Sequence, residues 1–243
     1  MKKIKVGLIP AAGQGKRMGY LGHILPKCLF PVYDKPILHH VIENMKSVGI
    51  NQIYIAVNFQ KDKIIEYIEK IKNDVDVDID FIHIKEILGL VTTIMSAEDY
   101  ISEPFMVILG DDLTITDSLN NFLETFKKKE AYVVEGAINE NNIDILKSTC
   151  CIKLGEENRI ERIIEKPIEP ISNIRGIGIY IFSDKIFDYG KKVSPQSSIT
   201  EAIDLAAKDG KAYAEFINGI NININTFEDL LKAWILRKAF KRV

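Results

Sequence analysis

Long apolar runs are missing from this 243-residue chain: nowhere do roughly 20 apolar residues follow one another, as a membrane span requires. Cysteine is scarce, with Cys28, Cys150 and Cys151 making up the whole complement. An odd set with two adjacent members builds no disulfide framework and no Cys-x-x-Cys zinc pair, and it suits a reducing cytoplasm. The four histidines lack metal-ligand spacing; His39 and His40 are neighbours, which on a helix point about 100° apart. The apolar stretch behind Met1-Lys2-Lys3 is interrupted by Gln14, Lys16 and Arg17, too early for a secretory signal. A basic surplus is absent as well, since 32 Lys and Arg stand against 34 Asp and Glu, a net charge of −2. Duplex nucleic acid and anionic membranes both call for such a surplus, so neither is expected as a partner. No Pro/Gly/Ser-rich linker, low-complexity tract or internal repeat divides the chain. The expectation is one cytoplasmic domain over residues 1–243.

What is present is an ordinary globular composition, 47% hydrophobic and 27% charged. In the first half, apolar runs alternate with helical patterns. Ile4 to Ile9, Ile53 to Val57, Ile79 to Ile84 and Phe105 to Leu109 read as strands. Ile37, Val41, Met45 and Val48 recur at helical spacing before Gly49, and Lys61 to Lys72 and the stretch from Gly89 to Ile101 read as further helices. Continuous apolar strands between helices predict a parallel sheet covered on both faces. In the second half, Tyr132 to Ile138, Ile177 to Phe182 and Ala212 to Ile217 are predicted strands. Cys151 to Leu154 and Ile160 to Glu165 read as a hairpin. Thr226 is the expected N-cap of a last helix, whose Leu230, Leu231, Trp234 and Ile235 form one apolar stripe; that stripe suits either the core or a homo-oligomer contact. The whole reads as a three-layer α/β/α, Rossmann-like fold on a mixed, mostly parallel sheet.

Two stretches carry chemistry. Pro10-Ala11-Ala12-Gly13-Gln14-Gly15-Lys16-Arg17-Met18-Gly19 directly follows the first strand. Small residues let the backbone approach a ligand and aim its N–H groups at phosphate oxygens. Met18 breaks the dinucleotide-binding glycine spacing, and Arg17 after Lys16 breaks the P-loop pattern. The second stretch is the apolar run from Phe105 to Leu109, which ends in Gly110-Asp111-Asp112. Ligands of open α/β sheets bind at the carboxyl ends of strands. Magnesium takes one or two carboxylates together with substrate phosphates, so an aspartate here can serve it. Asp112 is expected to be a loop or cap residue beside Asp111.

Ala-Ala-Gly-x-Gly-x-Arg-Met, followed by Pro26-Lys27-x-Leu29-x-Pro31-Val32-x-x-Lys35-Pro36, resembles the signature of the sugar-phosphate nucleotidyltransferases, which include glucose-1-phosphate thymidylyltransferases and uridylyltransferases. The resemblance spans nearly the whole chain and is sharpest over its first 40 residues. It implies a Mg²⁺-dependent enzyme that joins an NTP, dTTP or UTP by preference, to a sugar 1-phosphate and releases pyrophosphate. By position it places the triphosphate on Ala11, Ala12, Gly13 and Gly15, and gives charge neutralisation to Arg17 and Lys27. It makes Asp111 a metal ligand, and Asn223, in the run Asn221 to Thr226, a second one. Glu165-Lys166-Pro167 matches the motif for the sugar and its phosphate, and Gly89 the backbone contact to the base.

Several positions depart from the pattern. Ile84 stands where a base-reading glutamine is usual, Gly176 where an asparagine is usual, and Ser198 where a glutamate is usual. Thr149-Cys150-Cys151 replaces a Tyr-Gly pair. No hexapeptide repeats are present, so the β-helix that some relatives append is not expected. Base and acceptor stay open. A cytidylyltransferase using phosphocholine or a polyol phosphate, and a non-catalytic nucleotide-sugar-binding regulator, are the alternatives.

Overall fold

The structure, a computed structural model, describes residues 3–240, with side chains placed through Leu236. Strand β1 (Val6–Pro10) leads through a glycine-rich loop and a 3-10 turn to α1 (Tyr20–Ile24). A small clip of β2 (Pro31–Val32) and β3 (Lys35–Pro36) then enters α2 (Ile37–Ser47). Next alternate β4 (Gln52–Val57), α3 (Lys61–Val75), β5 (Asp78–His83), α4 (Leu90–Met95) and β6 (Phe105–Ile108). The second half comprises β7 (Asp112–Thr116), α5 (Leu119–Lys129), β8 (Val133–Asn139), α6 (Ile143–Ser148), β9 (Cys150–Leu154), β10 (Ile160–Glu165) and β11 (Ile174–Phe182). It closes with α7 (Lys185–Gly190), α8 (Ile199–Lys208), β12 (Ala212–Phe216), β13 (Gly219–Asn223) and α9 (Phe227–Phe240).

Among the described residues, nine strands form one mixed sheet. One end of it is the parallel run β6-β1-β4-β5, with β5 at the edge. Strand β11 lies antiparallel beside β6 and also pairs with β8, to which β12 adds in parallel. The β9–β10 hairpin joins β11 through Cys151 opposite Arg175. Alternation along the strands sends neighbouring residues into different layers. Ile9, Ile55 and Met106 pack with Ile42 and Met45 of α2, Ile64 of α3 and Phe122 of α5. Leu8, Ala56 and Val107 pack with Ile94 of α4, Phe187 of α7 and Ile203 of α8 on the other face. The apolar faces of the helices thus cover both sides of the sheet, giving the three-layer, Rossmann-like arrangement expected. No helix among the described residues is long and apolar enough to cross a membrane.

Helix ends follow local chemistry. Gly49, at φ 86°, takes the left-handed position just after α2. Thr226 and Asp229 form a reciprocal cap at the start of α9: the Thr226 hydroxyl accepts from Asp229 N (3.2 Å), and the Asp229 carboxylate accepts from Thr226 N (2.9 Å).

Three elements differ from the sequence reading or were absent from it. The helix after Gly89 stops at Met95, and turns carry the chain to Ile101. Residues 112–116 and 219–223 form a separate antiparallel pair, β7 with β13, where polar residues alternate with Leu113, Ile115, Ile220 and Ile222. Asparagine is disfavoured in strands, and Asn221 and Asn223 hold strand positions here because β7 satisfies their backbone. The stripe on α9 is divided: Leu230 is buried, but Leu231, Trp234 and Ile235 are exposed, because Ala233 takes the second core-facing position.

Candidate functional site

Parallel pairing of β1 with β6 sets two carboxyl ends side by side. The chain leaves β1 with Ala11 N bonded to Ala56 O (2.8 Å), and leaves β6 with Gly110 N bonded to Pro10 O (3.0 Å). Gly110 permits this approach, since a Cβ there would stand 3.0 Å from the Pro10 carbonyl oxygen. In the loop, Gly15 is left-handed (φ 61°, ψ 28°), and its carbonyl accepts from Met18 N (2.9 Å) to start the 3-10 turn that carries Lys16 and Arg17. Ala11, Gly13, Gly15, Lys27 and Asp111 line one recess together with Pro10, Cys28 and Gly110. A wider cleft of about 380 Å³ adjoins it, lined by Gln14, Gly15, Lys16, Arg17, Lys27, Ile87 and Asn225. The sequence-predicted phosphate residues therefore converge. Ala12, from the same loop, faces inward and is buried.

The charges in this recess are arranged in pairs. Lys27 forms an ion pair with Asp111, whose side chain is partly exposed. Asn225 Oδ1 accepts from Arg17 Nη2 (2.7 Å) and from Lys27 Nζ (2.9 Å). Its Nδ2 donates to Asn223 Oδ1. The segments that carry Asp111 and Asn223 run side by side, since Ile224 N bonds to Asp111 O (2.9 Å). One carboxylate and one amide oxygen are hard donors of the kind magnesium accepts when phosphate and water complete its shell. Among the described residues, no cluster of three or more His, Cys, Asp or Glu offers a full protein cage. The donor set therefore fits a metal shared with a phosphate ligand. Beside it, burial and then the charge of Asp111 push the Cys28 thiol up to about 12, so it stays protonated.

Asp112 is not the loop or cap residue expected. It is buried at the start of β7, where its Oδ2 accepts from Gly178 N (2.8 Å) and its Oδ1 from Asn221 Nδ2. Asn221 Nδ2 also donates to Thr114 Oγ1 (2.9 Å), while Asn221 Oδ1 accepts from Arg175 Nη2 (3.1 Å). This buried chain ties β7, β11 and β13 together and holds the strand tip that presents Asp111. Burial, and then the neighbouring Asp111, push the Asp112 carboxyl up to about 6.

The remaining predicted residues gather around residues 195–200, and none of them lines the recess or the adjoining cleft. Glu165 Oε2 accepts from Ser198 Oγ (3.3 Å) and Thr200 Oγ1 (3.2 Å). Lys166 is left-handed (φ 46°) and largely exposed, with Nζ 3.8 Å from Glu165 Oε1. Gly89 abuts the same segment: a Cβ there would stand 2.6 Å from Ser197 O and 2.9 Å from Gln196 O. Sequence reasoning missed Asn225, Asn221 and the burial of Asp112. The run Asn221-Ile222-Asn223-Ile224-Asn225 was a visible signal, but only the β7–β13 pairing shows which asparagine meets which partner.

Residues 6–235 match a family model described as "Nucleotidyl transferase". The chain is 33% identical over 233 residues to the bifunctional protein GlmU of Methanocaldococcus jannaschii, covering 93% of this chain and 52% of that protein. It thus spans about half the length of the GlmU relatives it matches. It is 30% identical over 230 residues to the UTP–glucose-1-phosphate uridylyltransferase AglF of Haloferax volcanii, covering 91% of this chain and 92% of that one. A crystal structure of UDP-glucose pyrophosphorylase complexed with UDP-glucose shares the fold, with a TM-score of 0.88 and 24% identity over 99% of this chain and 100% of that one.

Proposed function

The chain belongs to the nucleotidyl transferase family, and from that membership we propose that it is one catalytic domain joining an NTP to a sugar 1-phosphate, with release of pyrophosphate. The observation that carries this reading is the convergence of Gly13, Gly15, Lys27 and Asp111 on one recess, with Arg17 in the adjoining cleft. In this reading the loop amides from Ala11 to Gly15 bind the triphosphate, and Gly89 meets the base. Arg17 and Lys27 draw charge from the phosphates. Glu165 accepts hydrogen bonds from sugar hydroxyls, and Lys166 turns to the sugar phosphate. Asp111 and Asn223 hold magnesium, which supplies charge neutralisation when bound.

An oxygen of the sugar phosphate attacks the α-phosphorus; the bond from that phosphorus to the bridging oxygen of the β-phosphate breaks, and pyrophosphate leaves with the electron pair. A phosphate monoester is already ionised at neutral pH, so no protein base is required. Positioning and electrostatics supply the rate.

UTP and dTTP are the favoured nucleotides, and glucose 1-phosphate is the first acceptor to try, since the Haloferax relative is named for UTP and that sugar phosphate. Each of the common NTPs should be crossed with sugar 1-phosphates, phosphocholine and polyol phosphates, reading pyrophosphate. Release with a sugar 1-phosphate supports the proposal. Release only with CTP and a non-sugar phosphate, or nucleotide binding without turnover on any acceptor, overturns it.

A further inference from the structure

We infer that Asn225 is a positioning residue that keeps the place of a phosphate oxygen between Arg17 and Lys27 and yields it to the incoming triphosphate; this rests on the nucleotide reading above. A single neutral oxygen here accepts from two cations, at 2.7 Å from Arg17 Nη2 and 2.9 Å from Lys27 Nζ. Two cationic donors converging on one oxygen is the arrangement a phosphate oxygen fills, and an ionised acceptor makes the stronger bonds. The amide therefore holds the two side chains together without outcompeting the anion. Asn225 also lines the cleft beside Gln14, Gly15 and Lys16, where phosphate would arrive.

Its orientation is decided by its partners. Facing two donors, Asn225 must present its oxygen, which turns its Nδ2 to Asn223 and obliges Asn223 to offer its own oxygen. One amide thus converges both cations and fixes which way the Asn223 amide is turned. The backbone of Asn225 is anchored separately, by its N–H to Asp229 Oδ2 (3.1 Å), so the side chain can turn away while the start of α9 stays in place.

The test is calorimetric titration of wild type, Asn225→Asp and Asn225→Ala with UTP and with dTTP, without divalent metal and in excess chelator. Aspartate would form ion pairs with the same cations and repel the phosphates, so Asn225→Asp should weaken nucleotide binding by about tenfold or more at low salt, a loss that shrinks as salt screens it. Asn225→Ala removes holder and competitor together and should stay within about threefold of wild type, because neither change adds charge. Comparable thermal midpoints establish that the variants are folded, and the salt dependence separates a charge effect from a packing effect. Wild-type-like binding by Asn225→Asp, or an equal loss in Asn225→Ala, overturns the inference while leaving the functional reading intact. A wild type that binds neither nucleotide overturns the assignment of UTP or dTTP to this cleft, and the inference with it.

Discussion

Glu135→Gln separates the electrostatic cost of a buried carboxyl from its packing. Glu135 lies on β8 at 1% exposure; its Oε1 accepts from Cys150 Sγ (3.4 Å), and its Oε2 is buried with no partner. Burial pushes the carboxyl from 4.5 up to about 8; the Cys150 thiol pulls against this, and the charge of Glu165 adds to it. Between these two values the folded chain keeps a proton that the unfolded chain has released. Stability therefore falls as pH rises through this window, by about 1.4 kcal/mol per pH unit and about 5 kcal/mol in all. Glutamine has the same shape and does not titrate. Its extra N–H group, left unpaired, costs about 1–3 kcal/mol at every pH, so the slope rather than the offset is diagnostic.

Urea unfolding of both proteins should show the variant gaining about 3 kcal/mol on wild type between about pH 5.5 and about pH 7.5. The comparison cancels other titrating groups, Asp112 among them. A difference that stays flat within about 0.5 kcal/mol over that range would refute the reasoning, because a carboxyl that pays no penalty for ionising is not in a dry site.

Asp111→Ala should lower turnover by about 100-fold or more, as loss of an electrostatic stabiliser does, with little change in the thermal midpoint; near-normal pyrophosphate release would remove Asp111 from the machinery. Gly15→Ala meets only an ordinary contact, Lys27 Cβ at 3.6 Å, so its cost should come from the φ of 61° alone, about 1–2 kcal/mol in urea melts. An unchanged midpoint would mean that the loop relaxes out of the left-handed region. Cys28, Cys150 and Cys151 are all buried. A disulfide reagent at mildly alkaline pH should leave them unreacted in the native protein and label all of them in denaturant; fast labelling of any native thiol would contradict their burial.

The phosphate loop, the strand tip and the covering helices were legible in the sequence because each is local. Apolar period marks the strands β1, β4 and β6 and the helices α2 and α3, and glycine spacing with Arg17 and Lys27 marks the loop. Such signals need no knowledge of what lies across the fold. The choice of Asp111 over Asp112 rested on the resemblance alone, since two adjacent aspartates carry no local difference. The register of β7 against β13 decides it, by burying Asp112 under Gly178 and Asn221 and leaving Asp111 beside Lys27. The same register sorts the asparagines: Asn221 goes to the buried chain with Arg175, and Asn225 to the cations of the cleft. On α9, Leu230 and Leu231 are equally apolar, yet only Leu230 is buried, because the helix's angle of packing and not its composition selects the face. Residue type and spacing determined which groups this protein has for handling phosphate; pairing between segments about 100 residues apart decided which of them meet, since a one-residue slip in a strand sends every side chain to the other face.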